Sequence, residues 1–221
     1  MYIDANNYAV LAEKGTDGVS FYKNGKLVKS VPCMRFINES KAKGGYYILY
    51  PYSKSCTTES GYAYYNADGE KAFDKSFKYA NLFDNNNRAV VKTENNKVYL
   101  INTKGEKISE EYDSITTPIT TRFMESKYYI VKSDSKVGLI DLDGKVVFET
   151  KYSRITYTST KNNYIVSLSL DDSNHSVYDL KNNKELAKSS ENPDGKENYF
   201  RVKNNNVNQY YTYSGKLIYE D

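Results

Sequence analysis

The 221-residue chain has no tryptophan, one histidine, two cysteines and four prolines. Each shortage removes a class of chemistry. With His175 as the only imidazole, any serine or cysteine triad would have to run through that one residue, and a histidine-rich metal site cannot be assembled. Two cysteines, Cys33 and Cys56, make neither a disulfide scaffold nor a zinc cluster. They allow one disulfide, or two separate thiols. No apolar run is long enough to cross a bilayer as a helix or to form a signal core, so direct membrane insertion is not expected. The charges balance: 31 basic against 28 acidic residues give a net charge of +3. They are interleaved, so no basic arm invites nucleic acid.

Aromatic rings are plentiful. There are 24 tyrosines and eight phenylalanines, although only 39% of residues are hydrophobic. Tyrosine buries a large ring and keeps a polar tip, so it builds a core that a hydropathy scale scores as polar.

The rings recur with a period. A tight-turn residue marks it: Gly25 in "YKNGKLV", Gly69 in "NADGEKA", Gly105 in "NTKGEKI", Gly144 in "DLDGKVV", Asn183 in "KNNKEL" and Gly215 in "YSGKLI". Glycine, or asparagine in its stead, suits the positive φ of a hairpin turn. Before each turn lies a strand such as "VGLIDL", and before that a more apolar one such as "YYIVKS". After it comes a third strand, and in the better copies a fourth, beginning "YANLF", "YDSIT" or "YSRIT". Aligned first strands give one column of Tyr8, Tyr47, Ala89, Tyr129, Tyr164 and Phe200, and another of Val10, Leu49, Val91, Val131, Val166 and Val202. The alternate residues Ile48, Val90, Ile130 and Ile165 are also apolar, with Arg201 the exception. A sheet apolar on both faces needs cover on both, and no segment reads as a covering helix. Neighbouring copies must supply it.

A unit of about 40 residues is the size of a propeller blade. The expected fold is all-β: a β-propeller of about six small antiparallel blades in one domain over residues 1–221. A five-bladed ring, an open array and a β-solenoid are the alternatives. The opening "MYIDA" is similar to "KYSRI", so the N-terminal strand is expected to complete the last blade and close the ring.

In the fourth copy Gly138, Ile140, Asp141, Gly144, Lys145, Val147 and Tyr152, and in the third Ile101, Gly105, Tyr112 and Asp113, resemble the bacterial WG-type β-repeat family. Val137 and Ser60 stand where two copies would carry the family's tryptophan. The resemblance implies a repeat protein made for binding, in cell-envelope or secreted settings, and brings no catalytic residues with it.

Few residues suggest chemistry. "DLDG" has the look of a calcium loop, but an EF-hand needs a glutamate at its twelfth position, and Tyr152 stands there. A sugar hydrolase needs two facing carboxylates, yet the first strands end in Tyr50, Lys92, Lys132, Ser167 and Lys203. No catalytic residue, metal or cofactor is therefore assigned. The binding candidates are Lys92, Lys132 and Lys203, which share a register, with Tyr50 and Arg201 beside them. Tyr52 joins them from the insertion Pro51 to Ser60, where Cys56 also lies. A positively biased cup would suit a protein, an acidic peptide or an anionic glycan. The expectation is a monomeric, non-catalytic binding module outside the cell or in its envelope, its signal or anchor outside this chain. A cytoplasmic location, a carbohydrate hydrolase with an Asp/Glu pair, and a structural spacer are the alternatives.

Overall fold

Three of the repeats are organised around a turn that an Asn or Asp side chain closes. Asn66 Oδ1 accepts from the amides of Asp68 and Glu70, Asn102 Oδ1 from those of Lys104 and Glu106, and Asp141 Oδ1 from those of Asp143 and Lys145. The same three residues also accept from the amides of Gly69, Gly105 and Gly144 through their carbonyls. An Asx residue thus fixes the first turn position and glycine the fourth. All three glycines have positive φ, and Asn183 takes glycine's place at a φ of 51°. The calcium-like "DLDG" is one of these turns.

The computed structural model describes residues 2–3, 8–12, 18–37, 44–52, 60–116, 127–158 and 164–221, and they form strands and turns with no helix. Six antiparallel sheets follow in chain order. The first contains β1 (Tyr2–Ile3), β2 (Tyr8–Ala12), β3 (Gly18–Lys23) and β4 (Lys26–Pro32); the second, β5 (Met34–Phe36), β6 (Tyr47–Pro51) and β7 (Ala63–Tyr65). The third contains β8 (Tyr79–Ala80), β9 (Ala89–Lys92) and β10 (Val98–Ile101). The fourth contains β11 (Ser114–Thr116), β12 (Tyr128–Ser133), β13 (Lys136–Asp141) and β14 (Val146–Tyr152). The fifth contains β15 (Arg154–Tyr157), β16 (Ile165–Ser169), β17 (His175–Asp179) and β18 (Lys184–Ser189). The sixth contains β19 (Asp194–Gly195), β20 (Tyr199–Asn204), β21 (Val207–Thr212) and β22 (Leu217–Glu220). Each is a meander in sequence order, the arrangement of a propeller blade. In the second and third sheets the outer strand is reduced to single bridges, Tyr65 to Lys71 and Ile101 to Lys107. The pairing excludes a solenoid, whose coils would pair in parallel.

The chain divides into two compact units, Met1–Glu111 and Tyr112–Asp221, each with three sheets. Within a unit the faces of successive sheets bury one another. In the first, Val10, Val19 and Phe21 pack with Tyr47, Leu49 and Ala63 of the second sheet, and Ile48 and Tyr64 pack with Ala89 and Val91 of the third. In the second unit Leu139 packs with Val166 and Leu168, and Val177 with Phe200 and Val202. A buried side chain of this size contributes about 1.5–3 kcal/mol, and a lone meander has little else. The turn glycines join in: a Cβ on Gly69 would fall 2.7 Å from the Phe21 ring of the copy before it, and one on Gly105 2.5 Å from the Phe73 ring.

The expected ring-closing role of the N-terminal strand is corrected. Tyr2 pairs with Val10 and Ile3 with Ala9, so β1 opens the first sheet. The reason is the phase of the repeat. The strands taken as the fourth of one copy lead the next sheet instead: Ile115 pairs with Val131, and Ile155 with Leu168. Tyr2–Ile3 occupies that same leading position.

The Val-Gly pair of the fourth copy now has a physical reason. A Cβ on Gly138 would come within 2.6 Å of the Phe148 carbonyl oxygen and 3.0 Å of the Glu149 carbonyl carbon. Backbone cannot step aside as a flexible side-chain tip can. Gly138→Ala is therefore expected to lower stability by about 1–3 kcal/mol, read as a drop in urea midpoint with an unchanged far-ultraviolet spectrum. An unchanged midpoint would mean that β13 and β14 can separate at little cost.

Candidate functional site

Six side chains run along one side of the second and third sheets. Arg35 pairs with Tyr50 across β5 and β6, so both point to the same face. Tyr52, two residues on, shares that face. The Arg35 guanidinium carbon lies 3.1 Å from the centre of the Tyr52 ring, a contact worth about 0.5–1 kcal/mol where exposed. Tyr62 stacks on Tyr50 with ring centres 5.3 Å apart and planes 22° from parallel, and Tyr79 meets Tyr62 edge-on at 5.1 Å. Tyr79 in turn pairs with Lys92 across β8 and β9. The strip thus reads Tyr52, Arg35, Tyr50, Tyr62, Tyr79, Lys92, with Tyr52 43% and Tyr79 44% exposed. Loss of water, then the neighbouring phenols of Tyr50 and Tyr79, hold the Tyr62 hydroxyl above its ordinary pKa.

Three of the sequence candidates, Tyr50, Tyr52 and Lys92, belong to this strip. Arg35, Tyr62 and Tyr79 were not anticipated. Tyr79 was visible in "YANLF", but as the end of one copy rather than the strand beside Lys92. The insertion's residues 53–59, Cys56 among them, lie outside the described residues. Cys33, in the turn between β4 and β5, is disulfide-bonded.

The other candidates are on the second unit. Lys132 is exposed on β12, opposite Ser114 and Val137. Arg201 and Lys203 share a face of β20, each beside an acid: Arg201 Nη2 lies 4.0 Å from Asp194 Oδ2, and Lys203 Nζ 2.8 Å from Glu191 Oε1. The register shared by Lys92, Lys132 and Lys203 is thus a position within each sheet, and Lys203 spends its charge locally.

His175 is buried at 6% exposure. Its Nδ1 is 2.8 Å from Ser169 Oγ and its Nε2 3.1 Å from the Asp172 carbonyl oxygen. The carbonyl can only accept, so Nε2 donates to it, while Nδ1 shares a hydrogen bond with Ser169 Oγ. The ring closes the β16–β17 hairpin, with both nitrogens engaged. It forms part of the wall of a cleft of about 460 Å³ with Lys151, Tyr152, Glu185 and Lys188. Several carboxylates also serve turns: Asp84 Oδ1 accepts from the amides of Asn86 and Arg88, and Asp179 from those of Lys181 and Asn182. Among the described residues, no three His, Cys, Asp or Glu side chains gather as a metal site.

The WG containing repeat model matches residues 138–168, from β13 through β16, which supports a WG-repeat assignment. No curated protein sequence matches this chain. Among solved structures, BamB from Moraxella catarrhalis is 11% identical, with 100% of this chain and 77% of that chain covered at a TM-score of 0.34. KlHsv2 with loop 6CD replaced by a Gly-Ser linker is 9% identical, with 100% and 84% covered and a TM-score of 0.41. A eukaryotic initiation factor is 14% identical, with 96% and 62% covered and a TM-score of 0.43.

The tyrosines make the fold sensitive to alkali. Burial holds the hydroxyls of Tyr62, Tyr64, Tyr99, Tyr128 and Tyr152 above the ordinary value of 10.0. A raised pKa in the folded state means that the unfolded chain ionises first. Stability is therefore full below pH 10 and falls as the pH climbs beyond it. Tyr64, fully buried and donating to the Asn81 carbonyl at 2.6 Å, is shifted furthest. Tyr64→Phe should cost about 1 kcal/mol at neutral pH yet flatten the decline above pH 10. Urea midpoints taken from pH 8 to 11 check this, and an equally steep decline in the variant would place the sensitivity elsewhere.

Proposed function

We propose that this chain is a non-catalytic binding module and that the strip from Tyr52 to Lys92 docks an acidic segment of a partner protein. The observation that carries the reading is the run Tyr50–Tyr62–Tyr79, ring against ring, with a guanidinium at one end and an ammonium at the other. Rings already packed together lose little side-chain entropy on binding. Their hydroxyls keep the strip wettable while it is free, and the flanking cations favour carboxylates at either end. The repeat architecture supports a binding role, since stacked units create broad surfaces rather than deep pockets. A non-catalytic reading fits a sole histidine committed to a hairpin and carboxylates committed to turns.

The disulfide at Cys33 supports a location outside the reducing cytoplasm, in the envelope or beyond it. Cys33 precedes Arg35 by two residues, so the bridge braces the strand that carries the guanidinium. A monomer is the expected working form.

Selection of peptides from a random display library against the full chain tests this reading. The expected winners combine acidic and aromatic or aliphatic residues and weaken with added salt. Arg35→Ala and Tyr62→Ala should each reduce their affinity by about tenfold. Winners indifferent to both substitutions would remove the strip from the function.

A further inference from the structure

One hydroxyl of the second unit is left open at a position that is closed in the other sheets. The second and third strands of four sheets slip register after Phe21, Leu139, Val177 and Tyr210. The residues just before these, Ser20, Gly138, Ser176 and Gln209, are therefore equivalent. Ser20 Oγ lies 3.0 Å from Ser30 Oγ on the third strand, and Gln209 Nε2 donates to Glu220 Oε2 at 2.6 Å. Gly138 leaves no room for a side chain against the β14 backbone. Ser176 pairs instead with Lys188, whose ammonium turns to Glu185 at 3.9 Å. The half-buried Ser176 hydroxyl has no hydrogen-bond partner among the described residues.

Ser176 lines the cleft of about 460 Å³, whose lining residues all belong to the second unit. Leu168, Ser176 and Lys188 pair in a row across β16, β17 and β18, so they share a face. Leu170, two residues after Leu168, extends the apolar part of the cleft to its rim at 44% exposure. Tyr152, at the end of β14, packs against the cluster that contains Leu168. It brings a second hydroxyl without a hydrogen-bond partner among the described residues. Loss of water, then Tyr178 and Glu185, holds that hydroxyl above its ordinary pKa, so it stays a donor. Two open hydroxyls thus meet two leucines in one small concavity.

Charge favours neither sign there. Among the lining residues and their neighbours in the chain, Lys151, Lys184, Lys188 and Lys203 balance Asp171, Asp172, Glu185 and Glu191. Lys203 and Glu191 are 2.8 Å apart, and Asp171 accepts from Ser173 and Asn174 of its own turn. A wholly apolar ligand would strand the Ser176 and Tyr152 hydroxyls without water. An uncharged sugar avoids that cost and needs no surplus charge. Its C–H face lies on Leu168 and Leu170, and its hydroxyls donate to and accept from Ser176, Tyr152 and Glu185. The volume is in the range of small-molecule sites. We infer that this cleft is a binding site for an uncharged mono- or disaccharide.

Saturation-transfer NMR on the full chain tests this with glucose, galactose, mannose, N-acetylglucosamine, maltose, cellobiose and lactose, and with glucuronate as the anionic control. At least one neutral sugar should receive magnetisation from the protein, with little effect of added salt. Ser176→Ala and Tyr152→Phe each remove a single hydroxyl and should each weaken its affinity by about threefold to tenfold. Leu170→Asp, on the exposed rim, repeats the test should either variant fail to fold. Tyr62→Ala, which alters only the strip of the first unit, should leave sugar binding intact, so failure here and failure of the peptide strip are told apart. Three results would overturn the inference: no transfer to any neutral sugar, a preference for glucuronate, or an affinity indifferent to these substitutions in the cleft.

Discussion

Burial of one small sheet by the next is the interaction on which everything else in this protein depends. A meander of three or four short strands has two faces and little thickness, so it cannot enclose a core of its own. Here the problem is met by repetition: Phe21, Leu139 and Val177 are each sealed by the sheet that follows. The turn glycines belong to the same interaction, because Gly69 and Gly105 let a turn settle directly on the preceding copy's phenylalanine ring. A chain that makes cores this way can use tyrosine in them: the Tyr64 ring is fully buried while its hydroxyl donates to the Asn81 carbonyl oxygen.

The same interaction explains what was legible in the sequence. Turn chemistry is local, so the Asx and glycine positions located one hairpin in each copy and with it the all-β class. The phase of the repeat is not local. Whether "YSRIT" ends one sheet or begins the next depends on partners more than ten residues further on, such as Leu168 for Ile155, and the apolar pattern is the same either way. That ambiguity produced the misplaced N-terminal strand and hid Tyr79 beside Lys92. Column alignment suffered from a second cause, unequal inner hairpins. Five residues join β16 to β17, but two join β12 to β13. Val166, aligned by sequence with Val131 and Val202, takes the place of Tyr129 and Phe200.

Site residues were read less well than the fold, for an electrostatic reason. Lys92, Lys132 and Lys203 share a sequence register, and from that alone they suggest a common positive surface. Charge, however, is decided by what stands within a few ångströms. Lys203 has Glu191 and Arg201 has Asp194, both from the segment that leads into β20, and nothing in a column of aligned first strands reveals such neighbours. Arg35 was overlooked for the converse reason: its partner Tyr52 lies at the edge of an irregular insertion, where the repeat offers no ruler.

Repetition also sets where function can reside. At the interior positions the residues are committed to the neighbouring sheet, and a polar replacement there would cost stability directly. Freedom to vary arises where cover is incomplete, as at the strip that spans the second and third sheets. There the chain uses tyrosine flanked by a guanidinium, side chains that can face water and still present a flat apolar surface. The amphipathic residue that fills the sheet contacts is thus also the one displayed on this strip, so a single composition can serve both ends. Cations end the strip, and this local charge is the ground on which an acidic protein segment is proposed as its partner.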